Sequence, residues 1–312
     1  MNKIFTIIVV GPTASGKTSL GVELAKRFNG EVVSADSMQI YKEMSVATAK
    51  PTVEEMQGVP HHMIDFVSPD ENYSVALYKD EAMKVIQDIS SRGKTPVIVG
   101  GTGLYVSTLI DNIEFFDIQT DMELRERLMK RAEEEGTESL YNELKKIDPQ
   151  AAEKIHENNS KKIIRALEVY YQIGKTITDQ VERSKDKGAV LDPVIIGLNA
   201  KDRQVLYDRI NLRVDYMVKD GLVEEAKRFY GLFGRNTANQ AIGYKELIPY
   251  LNGEEELNES LERLKMQTRR YAKRQLTWFR KIDNVNWINI DEYSKSDLID
   301  EAARIIEKTM KG

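Results

Sequence analysis

The 312-residue chain is 41% hydrophobic and 30% charged, the balance of an ordinary globular protein, which excludes wholesale disorder and leaves room for one large domain or two moderate ones. It has no cysteine and three histidines, His61, His62 and His156, so disulfides, thiolate nucleophiles and Cys- or His-rich metal sites are excluded, and any metal should be a hard cation. The net charge of −5 does not by itself point to nucleic acid, and the longest N-terminal apolar run, Ile4 to Val10, is too short to cross a bilayer and leads into a glycine-rich turn instead of a cleavage site, so a soluble, unprocessed cytoplasmic protein is expected.

Lys3 to Val10 is rich in Ile and Val with little alternation, as expected of a strand buried on both faces in a parallel sheet. It runs into Gly11-Pro12-Thr13-Ala14-Ser15-Gly16-Lys17-Thr18 and a helical stretch ending at Phe28. This is the G-x-x-x-x-G-K-[ST] pattern in its required setting, after a strand and at the start of a helix. Glycines let the backbone wrap an anion, N–H groups and the helix N-terminus point at it, Lys17 adds a point charge, and the Thr18 hydroxyl is expected to hold Mg²⁺. Such a loop specifies phosphate but not which phosphate, since ATPases, kinases and pyrophosphate-using transferases share it.

Glu31 to Ser34 reads as the next strand, and Asp36 follows its C-terminal end, where open α/β sheets place their ligands. There Asp36 can serve as a proton acceptor, a helix N-cap or a water-mediated Mg²⁺ ligand. His61 and His62 are adjacent, point apart, and have no third ligand in reach by sequence, which favours a structural role. A helical pattern covers Val75 to Ser90, and the strand Pro96 to Val99 ends in Gly100-Gly101-Thr102-Gly103 without a carboxylate, which weakens an ATPase reading. Residues 121–187 are almost wholly charged and helix-forming, with Arg125, Arg127, Lys130 and Arg131, and read as an insertion before the core strand Val194 to Leu198. From Arg203 onward the chain is helical again, with turn signals at Gly221, at Gly231-Leu232-Phe233-Gly234 and at Asn252-Gly253. The expected fold class is α/β, a P-loop NTPase-like parallel sheet flanked by helices, with residues 1–116 and 194–312 as the core and 117–193 as a helical insertion domain.

Arg209 and Arg213 stand four apart on a helix and share a face, as an anion clamp or a solvated pair would. Leu261 to Lys281 reads as one helix carrying net +7, which leaves −12 for the rest of the chain. Leu264, Tyr271 and Trp278 are expected to face the core, while Arg263, Arg270, Arg274 and Lys281 form a second stripe suited to a polyanion or to solvent.

Six blocks carry a resemblance over almost the whole chain: GPTASGKT at Gly11 to Thr18; DSMQIY at Asp36 to Tyr41; Pro60 to Asp65 with Tyr73-Ser74-Val75; Gly100 to Tyr105; Arg165-Ala166-Leu167-Glu168-Val169-Tyr170; and Arg270 to Trp278. In this order they resemble the bacterial tRNA dimethylallyltransferase, or isopentenyltransferase, family. The C-terminal zinc finger common in eukaryotic members is excluded by the absence of cysteine. Where family members carry Asp-Pro-Arg-Arg before RALE, this chain has Asn158-Asn159-Ser160-Lys161-Lys162-Ile163-Ile164, which keeps positive charge at Lys161, Lys162 and Arg165 but not a bidentate arginine contact there.

The resemblance implies transfer of a dimethylallyl group from dimethylallyl pyrophosphate to N6 of the adenosine 3′ to the anticodon of a tRNA, with Mg²⁺ and without an obligate protein partner. It makes Asp36 the acceptor of the amine proton. Gly11, Pro12, Thr13, Ala14, Ser15, Gly16, Lys17 and Thr18, with Arg213 and then Arg209, become the pyrophosphate site, of which Thr13, Lys17 and Arg213 act catalytically. It assigns tRNA contacts to Asp36, Ser37, Met38, Gln39, Thr102 and Arg125, to Ser160, Lys161, Lys162, Ile163, Ile164 and Arg165, and to Arg270 and Arg274, and has the insertion grip the anticodon stem-loop. The competing readings are an adenine-nucleotide isopentenyltransferase, a P-loop small-molecule kinase, and an RNA-binding protein switched by nucleotide.

Overall fold

The computed structural model describes residues 3–116, 118, 121–232, 238 and 241–311; Phe233 and Gly234 of the expected turn and residue 117, the expected start of the insertion, lie outside the described residues. The chain divides into two compact units, Met1–Ile110 with Val190–Gly312, and Asp111–Ala189. In chain order the first unit contributes Ile4–Val10 (β1), Lys17–Arg27 (α1), Gly30–Ser34 (β2), Val53–Met56 (α2), His61–His62 (β3), Val75–Ser91 (α3), Thr95–Gly100 (β4) and Gly103–Ile110 (α4). The second unit holds Met122–Glu134 (α5), Thr137–Ile147 (α6), Pro149–Lys154 (α7), Ser160–Ile173 (α8) and Ile177–Lys187 (α9). The first unit resumes with Leu191–Asn199 (β5), Arg203–Lys219 (α10), Leu222–Phe229 (α11), Ile248–Leu251 (α12), Leu257–Phe279 (α13), Val285–Asn289 (β6) and Lys295–Met310 (α14).

The six strands form one parallel sheet in the order β3-β2-β4-β1-β5-β6. Because side chains alternate along a strand, Ile7 and Val9 of β1 enter one core with Val97, Val99, Ile196 and helices α1 and α14, while Ile8 and Val10 enter a second core with Ile98, Ile195 and helices α3 and α4. Burial on both faces explains the unbroken apolar run, and each fully buried Ile or Val contributes roughly 1.5–3 kcal/mol. Two strands were not legible in the sequence: β3 has two residues, and β6 is an edge strand whose Asn286 and Trp287 are exposed.

A third core, with Ile40, Tyr41, Met44, Val214, Leu222, Tyr244 and Leu264, is built from α10, α11, α13 and the segment after β2. It is tied by Glu225, a buried carboxylate that accepts from the amides of Ser45, Val46 and Ala47, each at 2.9 Å, and from the Tyr244 hydroxyl at 2.8 Å.

Helix α13 corrects two expectations. Its buried residues are Ser260, Leu264, Ala272, Gln275 and Phe279, whereas Trp278 is 42% exposed. A straight helix drifts about 20° per heptad, so a seven-residue spacing carried from Leu264 to Trp278 turns the indole out of the core stripe. It lies over Gly103 and donates from Nε1 to Ser107 Oγ at 3.0 Å. Arg263 is not on an open basic stripe, because its guanidinium is bound to Glu255 and donates to the Glu246 carbonyl at 2.9 Å.

The second unit has its own core of Leu124, Leu128, Leu140, Leu144, Ile163, Ile164 and Leu167. Ile163 and Ile164, expected among the RNA contacts, are thereby corrected: helical periodicity turns both inward with Leu167 and leaves Lys161, Lys162 and Arg165 exposed. Glu168 of the same helix is buried and holds Arg125 by two bonds, 2.6 Å from Nε and 2.9 Å from Nη2.

Candidate functional site

The C-terminal ends of β1, β2 and β4 open onto a cavity of ≈ 270 Å³ in the first unit. Backbone conformation shapes its floor. Gly11 has φ +149°, and a Cβ there would lie 2.6 Å from the Leu198 carbonyl; Gly16, the residue before α1, has φ +92°. Ala14 is left-handed at φ +62° without being glycine, a strained state that persists where surrounding contacts hold it. The loop closes on itself through the Ser15 amide to the Pro12 carbonyl at 3.3 Å, and α1 begins with no acidic residue in its first turn. Its N–H groups and dipole therefore face the cavity uncompensated.

The cations of this floor are not paired. Lys17 lines the cavity and donates from Nζ to the Pro12 carbonyl at 2.7 Å, and among the described residues neither it nor Arg213 forms a salt bridge. Burial, with the neighbouring Arg213 guanidinium, pulls the Lys17 ammonium from 10.5 to about 7, against an opposing pull from Asp36. Burial likewise lowers Arg213, which Asp36 partly offsets. Arg209 stands at the loop as well, its Nη2 being 3.6 Å from where a Gly16 Cβ would be. Ser15 Oγ is buried with no hydrogen-bond partner among the described residues. Two desolvated cations and a helix N-terminus at one cavity make a site for a polyvalent anion.

Asp36 lies on the same cavity, just past β2. Its Oδ1 accepts from the amides of Met38 at 2.9 Å and Gln39 at 3.4 Å. No bond to Oδ2 is formed among the described residues, and this oxygen lies 3.9 Å from the position a Gly101 Cβ would take. One carboxylate oxygen is anchored and the other faces the cavity, the arrangement a proton acceptor needs. Thr102 Oγ1 accepts from the Ser37 amide at 2.9 Å and stands 3.2 Å from Ser37 Oγ, which ties the β4 end to the Asp36 segment.

The structure gathers Thr13, Lys17, Thr18, Asp36, Ser37, Met38, Gln39, Arg213 and Arg274 around one cavity. It gives Gln39 an internal function: its Nε2 donates to the carbonyls of Thr48 at 3.3 Å and Ala49 at 3.1 Å, and its Oε1 accepts from Ser34 Oγ at 3.2 Å. His62 is structural as expected, with Nε2 2.7 Å from Glu31, whereas His61, with Nδ1 2.8 Å from the Val59 carbonyl, also lines the cavity and keeps a buried Nε2 with no hydrogen-bond partner among the described residues. Sequence reasoning missed the apolar side of the cavity, formed by Val214, Met217, Ile242 and Leu264, because these residues come from three separated segments with no local signature. It also missed Gln275, whose side chain lies buried between the phosphate loop and the β4 end.

No helix among the described residues is long and apolar enough to cross a membrane, and no group of three His, Cys, Asp or Glu that could hold a metal ion occurs among them. The family model described as IPP transferase matches residues 39–282. The chain is 54% identical over 292 residues to a tRNA dimethylallyltransferase of Caldanaerobacter subterraneus, covering 92% of each protein, and 52% identical over 295 residues to one of Acetivibrio thermocellus, covering 94% of each. Among solved structures it is similar to the tRNA isopentenylpyrophosphate transferase of Bacillus halodurans, with TM-score 0.73, 44% identity and 99% of each chain covered. A eukaryotic dimethylallyltransferase acting on tRNA gives TM-score 0.75 at 32% identity, covering 92% of this chain and 74% of that one.

Proposed function

Because the chain belongs to the IPP transferase family, we propose that its cavity joins dimethylallyl pyrophosphate to a tRNA adenine. On this reading the protein moves the five-carbon group to N6 of the adenosine 3′ to the anticodon and releases pyrophosphate, a reading supported by relatives named tRNA dimethylallyltransferase. The observation that carries the assignment of the site is the pairing of an unpaired cationic floor at Lys17 and Arg213 with the open Oδ2 of Asp36.

An exocyclic adenine amine is a weak nucleophile because its lone pair is delocalised into the ring. As N6 bonds to C1 of the allylic group, the C1–O bond to the diphosphate breaks and the N6 proton passes to Asp36 Oδ2. An allylic carbon tolerates the cationic character that develops, so the departing negative charge is the main quantity to stabilise. Lys17, Arg213, the Thr13 hydroxyl and the loop N–H groups face it, with Arg209 beside Gly16. Before the donor binds, Lys17 rests on the Pro12 carbonyl; an entering diphosphate offers it a better acceptor.

The hard oxygens of Thr18 and Asp36 on one cavity suit Mg²⁺, which takes few protein ligands and the rest from phosphate and water. When bound at Thr18 it would neutralise part of the diphosphate charge. To reach Asp36 the target adenine leaves its stack, and we assign Ser37, Met38 and Thr102 to its surroundings and Arg270 and Arg274 to the RNA backbone. In the insertion we assign the anticodon stem-loop to Ser160, Lys161, Lys162, Arg165 and Arg125, the last through the guanidinium edge not held by Glu168.

Incubating the protein with isotopically labelled dimethylallyl pyrophosphate, Mg²⁺ and either tRNA, AMP or ATP tests the reading. Label is expected in tRNA alone. Label in AMP or ATP would instead establish a free-nucleotide transferase, and phosphate transfer from ATP with no prenyl transfer a kinase.

A further inference from the structure

Gln275 sits on α13 within one turn of Tyr271 and Arg274, both of which line the cavity, and its own side chain is buried. Both ends of its amide are used. Oε1 accepts from the Thr13 amide at 2.8 Å, and Nε2 donates to the Gly101 carbonyl at 2.9 Å. One side chain therefore bridges the middle of the phosphate loop and the end of β4, from a third element distant in sequence from both.

The two bridged positions are the ones on which the chemistry turns. Thr13 immediately precedes Ala14, whose left-handed φ of +62° needs outside support. The bond from Gln275 fixes the peptide plane entering Thr13, and with it the direction in which the Thr13 hydroxyl points. At the other end Gly101 leaves room for the amide and nothing larger: a Cβ at Gly101 would lie 2.3 Å from Gln275 Nε2, and the same point is 3.9 Å from Asp36 Oδ2. The Gly101 carbonyl thus anchors the far end of the Gln275 amide on a segment that adjoins Asp36. Trp278, less than one turn further along α13, packs over Gly103 and bonds Ser107, so the helix carrying Gln275 is docked at a second point against the segment after β4.

We propose that Gln275 is a positioning residue for the transfer step: by accepting from the Thr13 amide it sets the Thr13 hydroxyl against the leaving diphosphate, while its bond to the Gly101 carbonyl anchors its own amide for that task. The inference rests on the transferase reading of the cavity. Gln275 touches no reacting atom, so its effect runs through Thr13, and that makes it separable from a packing role.

A double-mutant cycle provides the separation. Gln275→Leu, Thr13→Ala and the double variant are compared in single-turnover transfer at saturating substrates, together with tRNA dissociation constants and thermal midpoints. Misplacement of a catalytic group by about an ångström costs on the order of 10²-fold, so Gln275→Leu is expected to slow transfer by about that factor while leaving tRNA affinity unchanged. In the Thr13→Ala background the same substitution should slow transfer by less than about threefold, since the hydroxyl it positions is already gone. Gln275→Glu keeps the acceptor for the Thr13 amide and loses the donor to Gly101; it is expected to retain part of the rate, and it serves as the cycle partner should Gln275→Leu not fold. Losses that multiply across the cycle, or an unchanged single-turnover rate, would overturn the proposal. The same cycle read by binding of inorganic pyrophosphate needs no transfer: non-additive losses there, with no prenylation of tRNA by the wild type, would count against the reaction and leave Gln275 its positioning role, whereas additive binding losses would count against Gln275 itself.

Discussion

The two ends of the parallel sheet treat charge in opposite ways. At the N-terminal end, Glu31 of β2 is buried but fully partnered: Arg92 donates to both its oxygens at 2.7 and 2.8 Å, Lys94 at 2.6 Å, and His62 Nε2 lies 2.7 Å away. These bonds hold the carboxyl far below its usual range, Arg92 contributing most, and raise Arg92 in turn. At the C-terminal end Lys17 and Arg213 are desolvated side by side with no salt bridge among the described residues, and both are pushed down. Shifts that strengthen the charged forms mark an element built for stability. Shifts that weaken them mark a site whose missing partner is a ligand.

The contrast is broken most severely at Asp36. Asp36→Asn should lower the single-turnover rate by about 10²–10⁴-fold while tRNA affinity stays near normal, because a positioned general base acts on the chemical step. Rapid-quench kinetics beside a tRNA binding titration check both halves; a near-normal rate would remove the assignment.

At the opposite end the effect falls on folding. Glu31→Gln should lower unfolding free energy by about 2 kcal/mol, less than the 3–5 typical of fully buried pairs because the Arg92 and Lys94 side chains are 39% and 36% exposed. Transfer by the folded fraction should be unaltered. Since the Glu31 carboxyl is depressed in the folded state, its contribution is fully present above the unfolded value near 4.5 and is lost as pH falls below it, and the variant should lack this acid-dependent part of the stability curve. Chemical denaturation between pH 3 and 7 measures both.

How far the sequence discloses each end follows from the same physics. Local devices are legible: the Gly11–Thr18 loop, the doubly buried β1, the capped helix α3 and the insertion stand in contiguous residues. The Asp36 site is legible in part, because its place after a strand is local even though its role is not. Contacts made across the fold are not. Nothing near Gln275 in the chain reveals that it bonds residues 262 and 174 positions away, and nothing near Glu31 reveals that Arg92, Lys94 and His62 converge on it. Ile163 and Ile164 share a contiguous stretch with Lys161, Lys162 and Arg165, yet helical period turns them into the core and leaves the cations outside.

Surface cations extend the comparison. Arg263 is held by Glu255, whereas no salt bridge engages Arg270, Lys161 or Lys162 among the described residues. Each unpaired cation that meets RNA should reduce the log–log salt slope of tRNA binding by about 0.7–0.9 when neutralised, and Arg263→Gln should leave it unchanged. Titrations of Arg270→Gln, Lys161→Gln with Lys162→Gln, and Arg263→Gln across a salt series decide this; unchanged slopes in the first two would remove these faces from the RNA interface.

The most direct test of a charge-frustrated site concerns Lys17. In the free protein its ammonium is buried beside Arg213 at a cost, so Lys17→Met should leave stability unchanged or raise it by on the order of 1 kcal/mol, a small gain that accompanies loss of the site. Thermal midpoints of wild type and variant, each with and without inorganic pyrophosphate and Mg²⁺, measure this in a single series. The expected result is a ligand-dependent rise for the wild type and, for Lys17→Met, an equal or higher midpoint without ligand and no rise with it. A variant that melts lower than the wild type yet keeps the full pyrophosphate-dependent rise would contradict the account.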